Sequence, residues 1–155
     1  MKAIIIMGSK SDFDWAKRIA DALKVFGIQS IIRVASAHKT PLKVLEIIQE
    51  YEKEDVVFVT VAGRSNALGG FVDANTSRPV IACPPYSDKF AGMDILSTLR
   101  MPSGVSPLVV LEPEQAGLAV AKIFALRDRE LEERIRVYQE EKKREIEEDD
   151  RSLLS

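Results

Sequence analysis

Short apolar runs alternate with amphipathic stretches along most of this chain. The five runs are rich in Val and Ile, have few polar residues, and cover positions 3–7, 28–34, 56–61, 79–83 and 105–111. A strand that is buried on both faces of a parallel sheet shows this pattern, whereas a half-exposed strand alternates. We therefore expect five strands, the last of them interrupted early by Pro107.

Helical periodicity appears in the segments between these runs. Helices are predicted over 13–26, from 41 into the early fifties, over 67–75, within 90–99 and from 113 to 126. The first has the clearest apolar stripe, formed by Ala16, Ile19, Ala20, Leu23 and Phe26. Strands that alternate with helices predict a three-layer α/β/α sandwich with a parallel sheet, in one domain over 1–155.

The second predicted helix has a strong start signal. Thr40 is a suitable N-cap, and Pro41 fits the first helical position, where its missing N–H costs nothing. The stripe of Leu42, Leu45, Ile48 and Glu52, with Val44 and Tyr51 at its flanks, continues this helix through the early fifties.

The segment 128–150 is a helix of a different kind. Its apolar residues form a seam one residue wide, and nearly all the others are charged; the seam is Leu131, Ile135, Tyr138 and Ile146. Such a helix either docks weakly on its own domain or reaches onto a neighbouring subunit. We favour the contact with a neighbour, because so narrow a stripe buries little at home.

Composition and charge exclude several classes of function. The 155 residues are 46% hydrophobic and 30% charged, which is ordinary for a globular domain. A net charge of −2 without a Lys/Arg-rich run argues against a nucleic-acid partner, and no apolar run is long enough to span a membrane. The single cysteine, Cys83, is expected in the core and fits the reducing cytoplasm. One His and one Cys make no zinc site of the usual kind, so no metal is expected.

The only histidine, His38, lies between the second strand and the second helix. Histidine exchanges protons near neutral pH without special tuning, and open α/β sheets form their ligand crevices at such junctions. A lone histidine is often only a surface or core residue. Two further small-residue turns at equivalent junctions, within 7–12 and 62–66, favour a functional site instead.

The three turns together indicate one crevice. In the first turn, Gly8 and the serines let backbone N–H groups approach an anion at a helix start, although the spacing matches neither common nucleotide signature. Lys39 adds a point charge suited to phosphate, and Gly63 and Ser65 belong to a third turn that adds hydrogen-bonding groups. We expect a small phosphorylated polar ligand, one proton shuttle, and no cofactor.

Four motifs resemble, in order and spacing, the PurE family of purine biosynthesis. They are Met7-Gly8-Ser9-Lys10-Ser11-Asp12, Ser36-Ala37-His38-Lys39-Thr40-Pro41, Ala62-Gly63-Arg64-Ser65-Asn66-Ala67-Leu68 and Leu99-Arg100-Met101-Pro102-Ser103-Gly104-Val105. The resemblance covers essentially the whole chain. It implies a flavodoxin-like sheet and a homo-octamer whose sites are shared between subunits, which would explain the charged last helix.

The resemblance also implies an activity and a set of site residues. The family converts 5-aminoimidazole ribonucleotide, or its carbamate, to the 4-carboxy product. His38 matches the catalytic proton shuttle. The positions that match substrate-binding residues are Ser9, Asp12, Ser36, Lys39, Gly63 and Ser65, and less certainly Ser11, Arg64 and Asn66.

The third motif separates two classes within the family. The mutase class carries a second histidine where this chain has Ala67, and it carries arginine where this chain has Lys39. Both positions, together with Cys83-Pro84-Pro85, resemble the class that uses carbon dioxide directly. The alternatives are a mutase that acts on the carbamate and, more remotely, a non-catalytic nucleotide-binding or assembly protein on the same fold.

Overall fold

The β-branched runs form one parallel sheet in the computed structural model of the protein, which describes residues 1–154. The strands are β1 (Lys2–Met7), β2 (Gln29–Val34), β3 (Val56–Val61), β4 (Val80–Ala82) and β5 (Leu108–Val109). Their order in the sheet is β2-β1-β3-β4-β5, the flavodoxin-like arrangement that was expected.

Helices cover both faces of the sheet, as the alternating pattern predicts. They are α1 (Phe13–Val25), α2 (Pro41–Tyr51), α3 (Ala67–Asp73), α4 (Leu96–Leu99), α5 (Pro113–Ala125) and α6 (Arg129–Leu153). Two 3₁₀ segments, Lys10–Asp12 and Lys89–Ile95, precede α1 and α4. None of these helices is long and apolar enough to cross a membrane.

The central strands separate two apolar cores. On one face, Ile5 and Val59 pack with the buried sides of α1, α5 and the start of α6. On the other face, Ile4 and Phe58 pack with α2 and α3. All six residues of β3 are buried, which explains why its sequence shows no alternation. The stripe predicted on α1 is confirmed, since all five of its residues are buried in the first core.

Two local predictions were wrong, and one was confirmed. The fifth strand has only two residues, because the ladder with β4 joins only Leu108 and Val109 to it. The short helix predicted within 90–99 is confirmed as α4, which follows a stretch where Phe90, Ala91 and Gly92 have positive φ. The buried face of α2 is rotated from the predicted stripe, as described next.

Helix α2 buries Val44, Ile47, Ile48 and Tyr51, whereas Leu42 is 73% exposed. Both sets of positions have helical spacing, and the difference is a rotation about the helix axis. Thr40 occupies the N-cap position as predicted, but its side chain makes no cap hydrogen bond to the helix.

The charged C-terminal helix is present, and only its first part docks on the domain. Leu131 and Ile135 are buried, and the ring of Tyr138 meets Phe26 edge-on with 5.2 Å between centroids. Ile146, the last residue of the predicted seam, is 69% exposed. The outer half of α6 therefore has no core contact within its own chain.

Candidate active site

The strands β1, β2 and β3 end at the same level of the sheet. Met7 is in register with Val34 on one side and with Val61 on the other. Past the strand ends, the N–H of Ala35 donates to the carbonyl of Met7 at 3.0 Å, and the N–H of Gly8 donates to that of Val61 at 2.9 Å. The three turns that follow these strands are therefore neighbours, as expected from a parallel sheet.

The three turns line a single crevice of about 560 Å³. This volume is in the range of sites that hold small organic ligands, roughly 300–1,000 Å³. Nine of the ten residues proposed from the sequence line it: Ser9, Ser11, Asp12, Ser36, His38, Lys39, Gly63, Arg64 and Ser65. The structure thus brings the proposed proton shuttle and the proposed binding groups together.

The first turn is organised by its own serines. The hydroxyl of Ser9 accepts the N–H of Ser11 at 3.2 Å and the hydroxyl of Ser11 at 2.9 Å. Asp12 lies half-buried at the N-terminus of α1 without capping it through its side chain. Burial raises the pKa of the Asp12 carboxyl, while hydrogen bonds from Ser11 and from the backbone at Ser9 oppose the rise. Asp12 lines the crevice beside these serines.

The histidine turn is closed by hydrogen bonds that leave the imidazole exposed. The hydroxyl of Thr40 accepts the N–H of Ser36 at 2.9 Å, which is why it does not cap α2. The hydroxyl of Ser36 in turn accepts the N–H of Lys39 at 3.2 Å. His38 and Lys39 lie between these closing residues, with exposed side chains on the crevice wall.

The third turn depends on residues far along the chain. Arg64 has a φ of 59°, a left-handed conformation that is costly for a residue with a Cβ. The hydroxyl of Ser97 accepts the N–H of Asn66 at 3.0 Å and lies 3.4 Å from the carbonyl of Arg64. The segment that contains α4 therefore fixes the third turn through hydrogen bonds.

Asn66 is the one proposed site residue that does not line the crevice. Its side chain is 2% exposed, and its amide is bonded to Thr98 and to the backbone of Gly69. A direct contact between Asn66 and the substrate stays a prediction.

Sequence reasoning did not single out Ala37 and Leu68, which complete the crevice wall, or the supporting residues Ser97 and Thr98. Apolar wall residues carry no chemical signal in a sequence. The supporting hydroxyls lie about thirty residues from the turn that they hold, as the separations of 31 and 32 positions show. The one sequence signal for these supporting residues is that Ser97 and Thr98 are polar and lie between the apolar residues Leu96 and Leu99.

Within residues 1–154, no group of three or more His, Cys, Asp or Glu side chains could hold a metal ion. Cys83, as expected, is buried in the core. Burial raises the pKa of its thiol to about 12, and the side chain donates toward the carbonyl of Leu111 at 3.9 Å. A thiol in this state is no nucleophile.

Comparison with known proteins decides the family. The model of the family described as AIR carboxylase matches residues 2–145. The chain belongs to the AIR carboxylase family. Over 153 residues it is 69% identical to the phosphoribosylaminoimidazole carboxylase of Archaeoglobus fulgidus, a match that covers 99% of this chain and 85% of that protein. This confirms the resemblance to the PurE family that the motifs carry.

A solved structure supports the same assignment to the AIR carboxylase family. The crystal structure of Treponema denticola PurE matches with a TM-score of 0.95 at 52% identity, and the match covers 97% of both chains. The chain is also 44% identical over 127 residues to the human bifunctional phosphoribosylaminoimidazole carboxylase/phosphoribosylaminoimidazole succinocarboxamide synthetase. That match covers 81% of this chain and 30% of the human protein.

Proposed function

We propose that this AIR carboxylase carboxylates 5-aminoimidazole ribonucleotide directly with carbon dioxide, as a step of purine biosynthesis, and that His38 moves the proton. The observation that carries the proposal is the convergence of three turns on one crevice around the chain's only histidine. The names of the relatives from Archaeoglobus fulgidus and Treponema denticola, both phosphoribosylaminoimidazole carboxylases, agree with it.

The reaction needs little more than positioning and one proton transfer. The aminoimidazole ring is an enamine, so its C4 attacks the carbon of CO₂, a C–C bond forms, and one C=O electron pair moves to oxygen. The ring then carries a positive charge, and C4 bears both its original hydrogen and the new carboxylate. His38 accepts that proton, the C–H electrons restore the aromatic ring, and the 4-carboxylate remains. In the reverse direction protonated His38 returns the proton to C4 and CO₂ leaves.

Positioning of the reactants and one acid–base group can each contribute substantially to the rate. Holding two reactants in contact is worth up to about 7–11 kcal/mol of the barrier. A positioned acid–base group adds roughly 100- to 10,000-fold. His38 is exposed on the crevice wall and can reach a bound ligand, while the closed Ser36–Thr40 turn fixes its backbone.

The polar groups of the crevice suit the two ends of a ribonucleotide. The Asp12 carboxylate, with Ser9 beside it, is matched to the ribose hydroxyls. The ammonium of Lys39, with Ser36 and Ser11, is matched to a phosphate or carboxylate. Gly63 and Ser65 face the ligand from the third turn, and Arg64 lies next to them.

Direct use of CO₂ is favoured over a mutase by the identity of residue 67. A mutase of this family has a second histidine there, and this chain has Ala67 at the first position of α3. No second imidazole exists anywhere in the sequence. A carbamate therefore meets no second histidine in this chain.

The decisive experiment supplies purified protein with 5-aminoimidazole ribonucleotide and bicarbonate without ATP, and follows the carboxylated product. A parallel reaction supplies only the carbamate isomer while free CO₂ is scavenged. Turnover in the first reaction alone supports the carboxylase. Turnover that persists in the second identifies a mutase, and no turnover in either leaves a binding protein. Replacing His38 with Asn is expected to retain ribonucleotide binding and to abolish turnover.

We further propose that the enzyme works as a homo-octamer in the cytoplasm. An exposed apolar strip, formed by Phe90, Met93, Leu96 and Leu99, runs along the segment beside the third turn and supports self-association. The single buried free thiol fits a reducing compartment. Light scattering of the purified protein tests the assembly, with an octamer-sized particle expected, and a monomeric mass would reject it.

A further inference from the structure

The fully buried polar side chains of residues 1–154 are gathered behind one turn. They are Thr60 on β3, Asn66 at the start of α3, and Thr98 in α4. Burying a polar group costs free energy unless hydrogen bonds replace those it made to water. Three such groups at one place, in a core that is otherwise apolar, call for a specific reason.

The Thr60 hydroxyl has no hydrogen-bond partner within residues 1–154, whereas Asn66 is bonded to three other residues. Its Nδ2 donates to the Thr98 hydroxyl at 2.9 Å, and its Oδ1 accepts the N–H of Gly69 at 3.5 Å. Its own backbone N–H donates to the hydroxyl of Ser97 at 3.0 Å. A single side chain thus joins the third turn, the first turn of α3, and the segment that contains α4.

The surroundings leave this part of α3 little freedom to move toward the sheet. A Cβ on Gly69 would lie 3.1 Å from the Cβ of Ala82 and 3.2 Å from the hydroxyl oxygen of Thr60. Only a glycine at position 69 lets the helix approach β3 and β4 so closely. A Cβ on Gly70 would meet only the flexible side chain of Met101, with 2.9 Å to its sulfur.

The third turn of the crevice contains a residue with a strained backbone. Arg64 adopts its left-handed conformation two residues before Asn66, and this conformation is unfavourable for a residue with a Cβ. Such a conformation persists when its surroundings fix it. The supports of this turn are Ser97, which lies 3.4 Å from the Arg64 carbonyl, and the anchored backbone of Asn66.

We propose that Asn66 is a positioning residue, which fixes the Gly63–Ser65 turn in the crevice through its buried bond to Thr98. This inference rests on the proposed carboxylase function and adds a residue that acts without touching the substrate. Loss of the Asn66–Thr98 bond lets the turn relax away from the reacting carbon, and small displacements of positioning groups reduce catalysis strongly.

The test replaces Thr98 with Val, which keeps the shape of the side chain and removes only the hydroxyl. Thr98→Ser, which keeps the hydroxyl, is the matched control. We expect kcat/KM per folded enzyme to fall about 10- to 100-fold in Thr98→Val, and to return close to the wild-type value in Thr98→Ser. The folded fraction is measured by circular dichroism and applied to both variants.

Hydrogen exchange of the peptide covering 62–70 gives a second readout that does not need activity. Faster exchange in Thr98→Val than in Thr98→Ser supports the proposal, and equal exchange overturns it. A Thr98→Val enzyme with normal kcat/KM and only a lower melting temperature also overturns it, because the hydroxyl then serves stability alone. An inactive wild-type protein would instead defeat the carboxylase proposal, and the exchange data would still decide the role of Asn66.

Discussion

The N–H of Gly8 donates a 2.9 Å hydrogen bond to the carbonyl of Val61, which ties the first turn of the crevice directly to the end of β3. A Cβ on Gly8 would lie 3.6 Å from the Cβ of Ala62, an ordinary contact distance. The two turns therefore meet with room for one methyl group and little more. This spacing defines the floor of the site between its first and third turns.

Replacing Gly8 tests this spacing. We expect Gly8→Ala to fold normally and to keep most of its activity, because the added methyl meets Ala62 at van der Waals distance. Gly8→Val adds two further carbons at the crevice floor and should raise KM about tenfold or more, since overpacking forces neighbouring groups to shift. Steady-state kinetics on both variants make the comparison. Equal KM values would show that the ligand does not approach this floor.

The partly buried carboxyl of Asp12 leads to a prediction about how the stability of the fold depends on pH. Burial raises its pKa in the folded state, so the folded protein binds this proton more tightly than the unfolded chain does. Deprotonation therefore costs the fold stability, and this cost is absent below the usual carboxyl pKa and complete above the raised one. Asp12→Asn should accordingly melt higher than the wild type at pH 7.

The gain from Asp12→Asn is expected to be small, about 1–2 °C, because water screens a carboxyl that is only partly buried. It should vanish when both proteins are melted in acid, where the wild-type carboxyl is protonated. The same variant should bind ribonucleotide more weakly, since a ribose diol donates better to a charged carboxylate. A variant that is less stable than the wild type at pH 7 would contradict the first expectation.

Sequence patterns predicted the sheet and the crevice because burial dictates both. Strands β1 and β3 are buried on both faces, so nearly every residue in them had to be apolar. Parallel strands also bring their carboxyl ends to one edge, so three polar turns had to meet there. Neither result depends on the details of side-chain packing.

The features that the sequence could not predict have a geometry set by tertiary contacts. The buried face of α2 could not be chosen from spacing, since Leu42 and Val44 both begin acceptable helical stripes. The left-handed run beginning at Phe90 has one glycine and no other local signal. The setting of Asn66 depends on Thr98, 32 positions away, which no local pattern links to it.

The thiol of Cys83 should be unreactive in the folded protein. It is fully buried, and burial raises its pKa to about 12, so very little thiolate forms at pH 8. We expect no labelling by a disulfide reagent under native conditions and one label per chain in denaturant, because the sequence holds one cysteine. Native labelling at the rate of a free thiol would mean that this part of the core opens readily.

The C-terminal helix can be divided by two truncations, because its halves differ in their contacts. Leu131 and Ile135 are buried in the core of their own chain, and Tyr138 packs on Phe26, whereas Ile146 is exposed. A chain that ends after Gln139 should keep a near-wild-type melting temperature and lose oligomer mass, if the outer half contacts a neighbouring subunit. A chain that ends after Arg127 also loses the buried residues of α6, and should melt lower, since each large buried side chain is worth about 2–5 kcal/mol. Light scattering and thermal melts on both truncations separate the two effects. An unchanged mass for the chain that ends after Gln139 would place the subunit contact outside the outer half of α6.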